Sequence, residues 1–192
     1  MSSFSKDDRR ALLELAREAV TAAVTRQTSP PIPPLGSDSA SCGVFVSLHL
    51  RGRLRGCIGV LEGAGSLAET VARCAVSAAL EDPRFEPLTA VELAELEFEV
   101  SVLSALRTAT PDEVEPGRHG LRVRQGDFSG LLLPQVATRY HWSRERFLEE
   151  TCNKAGLPAD AWRDPATQIE VFTAEVFAEA EFAAEKKMPA GT

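Results

Sequence analysis

The chain has 192 residues, of which 44% are hydrophobic and 26% charged, a composition that fits one globular domain or two small lobes. Its formal charge of −7 and pI near 5.1 argue against broad binding to nucleic acids or anionic membranes, both of which need a cationic surface. The apolar runs are short and interrupted, which argues against a membrane-spanning helix.

The first predicted element is a helix that begins near the N-terminus. Ser5 followed by Asp8 is a capping pattern, and an apolar stripe at helical spacing continues to about Arg26. The polar residues before it do not resemble a signal peptide, so we expect a cytoplasmic protein. The next segment, 28–40, contains four prolines and predicts an extended strap along the surface.

A β-hairpin is predicted next, because the apolar residues then alternate with a period of two over 43–50 and 54–60. A turn of three residues would place the apolar side chains of both strands on one face, whereas a turn of two would mix apolar with charged partners. The pairs that we predict are Leu50–Leu54, Val46–Ile58 and Val44–Val60. The opposite face would present the polar side chains of Ser47, His49, Arg55 and Cys57.

The remaining elements alternate between helices and strands, several of them joined as hairpins. Ser66 and Glu69 form a capping box for a helix that ends at Asp82-Pro83. Later elements are a helical turn after Thr89, a strand over 96–102, a hairpin around 125–127, a helix from Ser143 to Gly156 and a last strand over 169–176. This order predicts an α+β fold with a two-layer mixed or antiparallel sheet and helices.

The segment 54–59 is unusual for a strand because it contains Gly56 and Gly59, which weaken a strand and remove side chains that could pack. Such glycines are expected where a ligand or another backbone approaches closely, so both are candidate ligand-binding residues. Cys57 stands between them, and the guanidinium of Arg55 nearby would favour its nucleophilic thiolate form. The alternative is a small buried cysteine between two packing glycines.

Several segments of the chain resemble the AMMECR domain family, whose bacterial members are called AmmeMemoRadiSam system protein A. Leu54-Arg55-Gly56-Cys57-Ile58-Gly59 is similar to the signature hexapeptide of that family. The resemblance continues in the same order to about Glu179 through Asp82-Pro83-Arg84-Phe85, Pro87-Leu88-Thr89, His119-Gly120-Leu121, Leu133-Pro134-Gln135-Val136-Ala137, Phe147-Leu148, Cys152–Pro158 and Trp162.

The resemblance implies an α+β protein of two fused lobes whose biochemical activity is not established. We therefore expect a single domain over residues 1–184, with two lobes that share a core, and a loose tail at 185–192. The resemblance also implies a relation to a Memo-like protein and to a radical S-adenosylmethionine enzyme. As site residues it implies Arg55 and Cys57, together with His119 and Arg84, which fall on the family's His-Gly and Arg-Phe pairs.

Two functions stay open at this point. In the first, Cys57 attacks a small molecule, His119 acts as base or orienting group, and Arg55 or Arg84 holds an anionic group. In the second, the glycine-flanked strand is a groove that binds a partner protein or ligand without catalysis. A partly accessible thiol in a pocket would favour the first function, and a buried thiol beneath a flat apolar patch would favour the second.

Other candidate residues carry less functional information. Cys74 and Cys152 lie on the apolar stripes of helices and are predicted to be buried, and Cys42 is predicted to pack at the start of a strand. The four cysteines form no CxxC pair, which predicts free thiols. A zinc site from Cys42, His49 and Cys57 would lack a fourth ligand, so we expect no metal and no cofactor.

Overall fold

The computed structural model describes residues 4–35 and 43–183. Its helices are α1 (Lys6–Thr25), α2 (Leu67–Leu80), α3 (Pro134–Arg139), α4 (Arg144–Ala155) and α5 (Ala180–Ala183). Its strands are β1 (Val44–Leu50), β2 (Arg53–Val60), β3 (Leu96–Leu103), β4 (Arg107–Thr108), β5 (Gly120–Gln125), β6 (Phe128–Leu132), β7 (Gln168–Phe172) and β8 (Ala174–Ala178). The α+β class is confirmed, with helices and two four-stranded sheets.

The described residues form two compact units, the first within Met1–Val102 and Glu175–Thr192 and the second Leu103–Ala174. The first unit contains the sheet β2-β1-β3-β8, and the second contains the sheet β4-β7-β5-β6. Each unit has its own cluster of buried apolar side chains. A single domain over residues 1–184 stays a prediction.

Helix α1 and helix α2 bury the apolar face of the first sheet. The predicted caps of both helices are confirmed, since the Ser5 hydroxyl accepts from the Asp8 N–H and Ser66 with Glu69 forms a complete capping box. The apolar stripes of the two helices and alternate residues of β1 and β3 form one continuous core. The other face of this sheet carries polar side chains together with those of Phe45 and Leu54.

The predicted hairpin of β1 and β2 is confirmed, but its turn is different. Arg51 and Gly52 form a two-residue turn with φ angles of 52° and 74°, the left-handed conformation that matches the twist of paired strands. A β-bulge then leaves Arg55 as an extra residue and restores the register. The pairs Val46–Ile58 and Val44–Val60 are confirmed, whereas the pair Leu50–Leu54 is wrong: Leu50 lies opposite Arg53, and His49 lies opposite Leu54.

Leu54 consequently leaves the core that the three-residue turn predicted for it. Its side chain is 41% exposed, because the two-residue turn shifts it to the face of His49. A one-residue difference in turn length moves a side chain to the opposite face of a strand. Beyond the bulge the original alternation returns, so Ile58 and Val60 pack against the core of the first unit.

The second unit places α4 across β5 and β6. Ser143 caps this helix and Gly156 ends it with a φ of 78°, as predicted. The predicted hairpin around 125–127 is confirmed as β5 and β6. The single predicted strand over 169–176 is wrong, because β7 belongs to the second sheet and β8 to the first. The strand is interrupted at Thr173. There, hydrogen bonds with Ser104 join the first residues of the second unit to its last ones.

Candidate functional site

Cys57 lies on β2, an edge strand of the first sheet, and its side chain is partly exposed. Its cross-strand neighbour is Ser47 of β1, and the Ser47 Oγ lies 3.3 Å from the Cys57 Sγ. The predicted placement of Ser47 and Cys57 on one face is therefore confirmed. A serine hydroxyl at this distance can donate a hydrogen bond to a sulfur that has lost its proton.

The main chain of Cys57 is held by the segment that follows α2. The Asp82 carboxylate accepts a hydrogen bond from the Cys57 N–H (2.8 Å), and the Arg84 guanidinium donates one to the Cys57 carbonyl oxygen (3.2 Å). An edge strand leaves such groups unpaired. Asp82 and Arg84 therefore occupy the position of a neighbouring strand. Their hydrogen bonds hold the segments 54–59 and 82–85 together.

Asp82 and Arg84 form an ion pair beside the thiol. The Asp82 side chain is only 2% exposed, and it accepts from the Nε (2.9 Å), the Nη2 (2.7 Å) and the main-chain N–H (3.1 Å) of Arg84. The Arg84 guanidinium above all, with the Cys57 N–H, holds the pKa of Asp82 well below its usual range, although burial raises it. Asp82 in turn raises the pKa of Arg84, and the nearby Cys57 side chain adds to that increase.

Arg55 has other partners than the thiol. Its guanidinium binds the Glu92 carboxylate (Nε to Oε1, 2.7 Å; Nη2 to Oε2, 3.3 Å) and donates to the Glu86 carbonyl oxygen (3.0 Å). Glu92 belongs to a 3-10 helix, Ala90–Glu95, so Arg55 fastens the hairpin to that helix. Within the described residues, the guanidinium that bonds to Cys57 is that of Arg84.

The ion pair of Arg55 and Glu92 predicts a specific loss of stability in acid. The Arg55 hydrogen bond holds the pKa of Glu92 at about 2, below its usual 4.5, and both side chains are largely buried. A depressed carboxylate pKa stabilises the fold above the unfolded-state pKa, and this stabilisation is lost as the pH falls from about 4.5 towards 2. We expect Glu92→Gln to lower the free energy of unfolding at pH 7 by about 2 kcal/mol.

Urea unfolding between pH 7 and pH 3 measures this effect. The difference between wild type and Glu92→Gln should narrow steadily below pH 4.5. Glu95→Gln is the matched control, since Glu95 pairs with Arg51 at the exposed surface and should stay close to wild type. A difference that is constant with pH would contradict the assigned charge state of Glu92.

Each of the two glycines of the hexapeptide lies in close contact with another part of the protein. A Cβ atom on Gly56 would lie 2.1 Å from the carbonyl oxygen of Ala78 in α2, and one on Gly59 would lie 2.3 Å from the ring of Phe45. The space in which ligand approach was predicted is thus filled by α2 on one face and by Phe45 on the other. The role of Gly56 and Gly59 in ligand binding stays a prediction.

The solvent-facing side of the first sheet carries a polar surface around Cys57, which we call the outer face. Cross-strand pairing places Glu99 opposite Ser47 and Glu97 opposite His49. Glu99 is half-buried and Glu97 is exposed. Among the described residues, neither carboxylate has a hydrogen bond or an ion pair. The outer face therefore carries the polar side chains of Ser47, His49, Cys57, Glu97 and Glu99, beside the apolar side chains of Phe45 and Leu54.

His119 lies in the second unit, directly before β5, and is 7% exposed. Its Nδ1 accepts a hydrogen bond from the Glu115 N–H (3.2 Å), so the neutral ring carries its proton on Nε2. In that tautomer Nε2 donates a hydrogen bond and cannot take up a thiol proton. The role of His119, as base or as orienting group, and its pairing with Cys57 both stay predictions.

Comparison with known proteins now places the chain in a family. A model of the AMMECR1 family matches residues 13–177. The chain belongs to the AMMECR1 family. Among its relatives, Protein TK0174 of Thermococcus kodakarensis is 42% identical over 181 residues, which is 88% of each chain. A protein of Methanothermobacter thermautotrophicus is 40% identical over 185 residues, with 92% of this chain and 96% of the relative covered.

A solved structure supports the same assignment. The crystal structure of the uncharacterized protein PH0010 from Pyrococcus horikoshii matches this chain with a TM-score of 0.84 and 37% sequence identity. The match covers 91% of this chain and 93% of the other. The family model and the solved structure both cover residues of each unit, and the predicted membership of the family is confirmed.

One residue of the candidate site, Asp82, is not identified by sequence patterns. The sequence marks it only as the end of a helix. The available signal for Asp82 is its place two positions before Arg84 in a segment that resembles the family. Within residues 4–35 and 43–183, no helix has both the length and the apolar character needed to cross a membrane.

The remaining cysteines of this AMMECR1 chain behave as packing residues. Cys74 and Cys152 are buried, as predicted, and burial raises the pKa of both thiols. Cys42 lies outside the described residues. No group of His, Cys, Asp and Glu side chains in the described part of the chain could hold a metal ion.

Two clusters of arginines could suggest nucleic-acid binding, and two arginines of each are engaged in ion pairs. The first cluster is Arg51, Arg53 and Arg55, and the second is Arg118, Arg122 and Arg124. Arg51 binds Glu95 and Arg55 binds Glu92 in the first cluster. Ion pairs of the second cluster join Arg118 to Glu115 and Arg122 to Glu170. These pairs remove most of the local positive charge that a phosphate backbone would need.

Proposed function

We propose that Cys57 is the nucleophile of a thiol-dependent site that acts on a small molecule. In this proposal the protein works in the reducing cytoplasm, together with a Memo-like protein and a radical S-adenosylmethionine enzyme. The observation that carries the proposal is the arrangement around Cys57. A partly exposed thiol lies 3.3 Å from a serine hydroxyl while Asp82 and Arg84 hold its main chain.

The chemistry of these neighbours supports a nucleophile. A thiol becomes nucleophilic on losing its proton, and a hydroxyl donor favours the resulting negative charge. Ser47 supplies that hydroxyl, 3.3 Å from the Cys57 Sγ. A fixed main chain also keeps the sulfur in one position, which favours attack along one direction.

The alternative function, a non-catalytic binding groove at the hexapeptide, has less support. It depended on free space above Gly56 and Gly59, and Ala78 and Phe45 fill that space. A partner that paired with the strand edge would also need free main-chain groups, and at Cys57 those groups are bonded to Asp82 and Arg84.

Alkylation by iodoacetamide at pH 8, followed by peptide mass spectrometry, tests the nucleophile. We expect Cys57 to react in the folded protein while the buried Cys74 and Cys152 stay protected. Ser47→Ala should slow the alkylation of Cys57 about threefold, because a hydrogen bond to the thiolate is lost. Ser129→Ala, an exposed serine of the second unit, is the matched control and should leave the rate unchanged.

Two results would count against the proposal. If Cys57 stays unmodified while the protein is folded, the thiol is not an available nucleophile. If Ser47→Ala reacts at the wild-type rate, Ser47 does not assist the thiolate and the arrangement around Cys57 is a matter of packing. His119→Ala, measured in the same assay, should slow the reaction only if the predicted pairing with Cys57 exists in solution.

A further inference from the structure

We propose that the molecule on which Cys57 acts carries a positively charged group, an ammonium or a guanidinium, that binds against Glu99. This inference rests on the proposed function and adds the class of substrate. It differs from the expectation drawn from the sequence, in which an arginine beside the thiol would hold an anionic group. The charges around Cys57 decide between the two.

The two guanidiniums of the candidate site, those of Arg84 and Arg55, are already neutralised within the protein. The Arg84 guanidinium is bonded through Nε and Nη2 to both carboxylate oxygens of Asp82. The Arg55 guanidinium is bonded in the same bidentate way to Glu92. A guanidinium that is already paired with a carboxylate attracts a second anion only weakly, because the field of the pair falls off steeply with distance.

The negative charges of the outer face are not neutralised. Glu99 and Glu97 have no ion pair or hydrogen bond among the described residues. Glu99 is half-buried, so its charge is less screened by solvent than that of a fully exposed carboxylate. The surplus charge on this face is therefore negative and favours a cation.

The spacing of the strands suits a small cationic molecule. Cys57, Ser47 and Glu99 are successive cross-strand neighbours on β2, β1 and β3. Adjacent strands lie about 4.8 Å apart, so Cys57 and Glu99 are separated by about 10 Å at the main chain. A molecule with a reactive carbon or sulfur at Cys57 and an ammonium about three or four bonds away would reach Glu99 across Ser47.

Three methanethiosulfonate reagents of similar size test the inference. They carry a trimethylammonium, no charge or a sulfonate. In each case the Cys57 sulfur forms a bond to the sulfenyl sulfur, methanesulfinate leaves with the electron pair, and the thiol proton passes to the buffer. Rates for Cys57 are read by peptide mass spectrometry and divided by the rates of the same reagents with a small free thiol.

At low ionic strength we expect the cationic reagent to react with Cys57 about tenfold faster than the anionic one after that correction. Glu99→Gln should reduce this ratio about threefold or more. Glu18→Gln is the matched control, because Glu18 is an exposed carboxylate on α1, on the side of the first sheet opposite the outer face. It should leave the ratio close to that of wild type.

The outcomes separate this inference from the proposed function. If the neutral reagent does not modify Cys57 in the folded protein, the proposed function fails, and with it the inference. If the neutral reagent reacts but the anionic reagent is preferred, the assignment of a cationic substrate is overturned and the nucleophile stands. The cationic assignment is likewise overturned if Glu99→Gln changes the ratio no more than Glu18→Gln does.

Discussion

Gly56→Ala is expected to lower the free energy of unfolding of the first unit by about 3 kcal/mol or more. The added Cβ would lie 2.1 Å from the carbonyl oxygen of Ala78, far inside van der Waals contact. The Ala78 oxygen is a main-chain atom of α2, and the position of the Cβ is fixed by the main chain of β2, so no side-chain rotation can relieve the overlap. Either the helix moves off the sheet or the strand bends away from it.

The thiol of Cys74 measures unfolding of the first unit, because it is buried in α2 and becomes accessible when the unit opens. Pulsed labelling of Cys74 across a urea gradient should show a clearly lower midpoint for Gly56→Ala than for wild type. Gly52→Asn is the control, since Gly52 has a positive φ that asparagine tolerates and no atom within 4 Å of an added Cβ. An unchanged midpoint for Gly56→Ala would show that α2 does not press on β2 as described.

Asp82→Asn is expected to lower the free energy of unfolding by about 3 kcal/mol at neutral pH. Each carboxylate oxygen of Asp82 accepts from two N–H groups: Oδ1 from the main-chain N–H and Nε of Arg84, and Oδ2 from the Cys57 N–H and Arg84 Nη2. An amide in either orientation therefore places its NH2 group against two donors. The substitution also leaves the Arg84 guanidinium without its counter-charge.

The pH dependence of this variant provides a second readout. The pKa of Asp82 lies below its usual 3.8, so the stabilisation by Asp82 is complete at neutral pH and is lost as the pH falls below about 4. Wild type and Asp82→Asn should therefore converge in stability at acidic pH. Glu81→Gln, which removes a charge from the adjacent exposed carboxylate, should follow wild type throughout. Equal stability of Asp82→Asn and wild type at pH 7 would contradict the hydrogen bonds described between Asp82, Arg84 and the main chain of Cys57.

The hairpin shows how far local patterns reach. Alternating apolar residues predict both strands and most of their pairing, because side chains in a strand alternate between its faces. The same pattern does not specify whether one extra residue is placed in the turn or in a bulge. Arg55 occupies the bulge, and its ion pair with Glu92 joins residues that are distant in the chain.

The single strand predicted over 169–176 fails for a similar reason. Its apolar residues satisfy the pattern of one strand, yet β7 and β8 belong to different sheets. Hydrogen bonds between Thr173 and Ser104 break the strand at that point. A pattern of hydrophobic residues indicates that a segment is buried, but it does not indicate which of the two cores the segment packs against.

Cys57 remains the centre of the candidate site. Some of its neighbours can be predicted from the sequence, and others are identified only by the tertiary structure. The sequence alone was sufficient for the family, the helix caps, the thiol and its neighbour Ser47, because these depend on motifs and on residues close together along the chain. Only the tertiary structure identified Arg84 as the guanidinium bonded to Cys57, Asp82 as its anchor, and Ala78 as the reason for Gly56. Each of these contacts joins residues more than twenty positions apart, and no local periodicity specifies which distant side chain meets a strand edge.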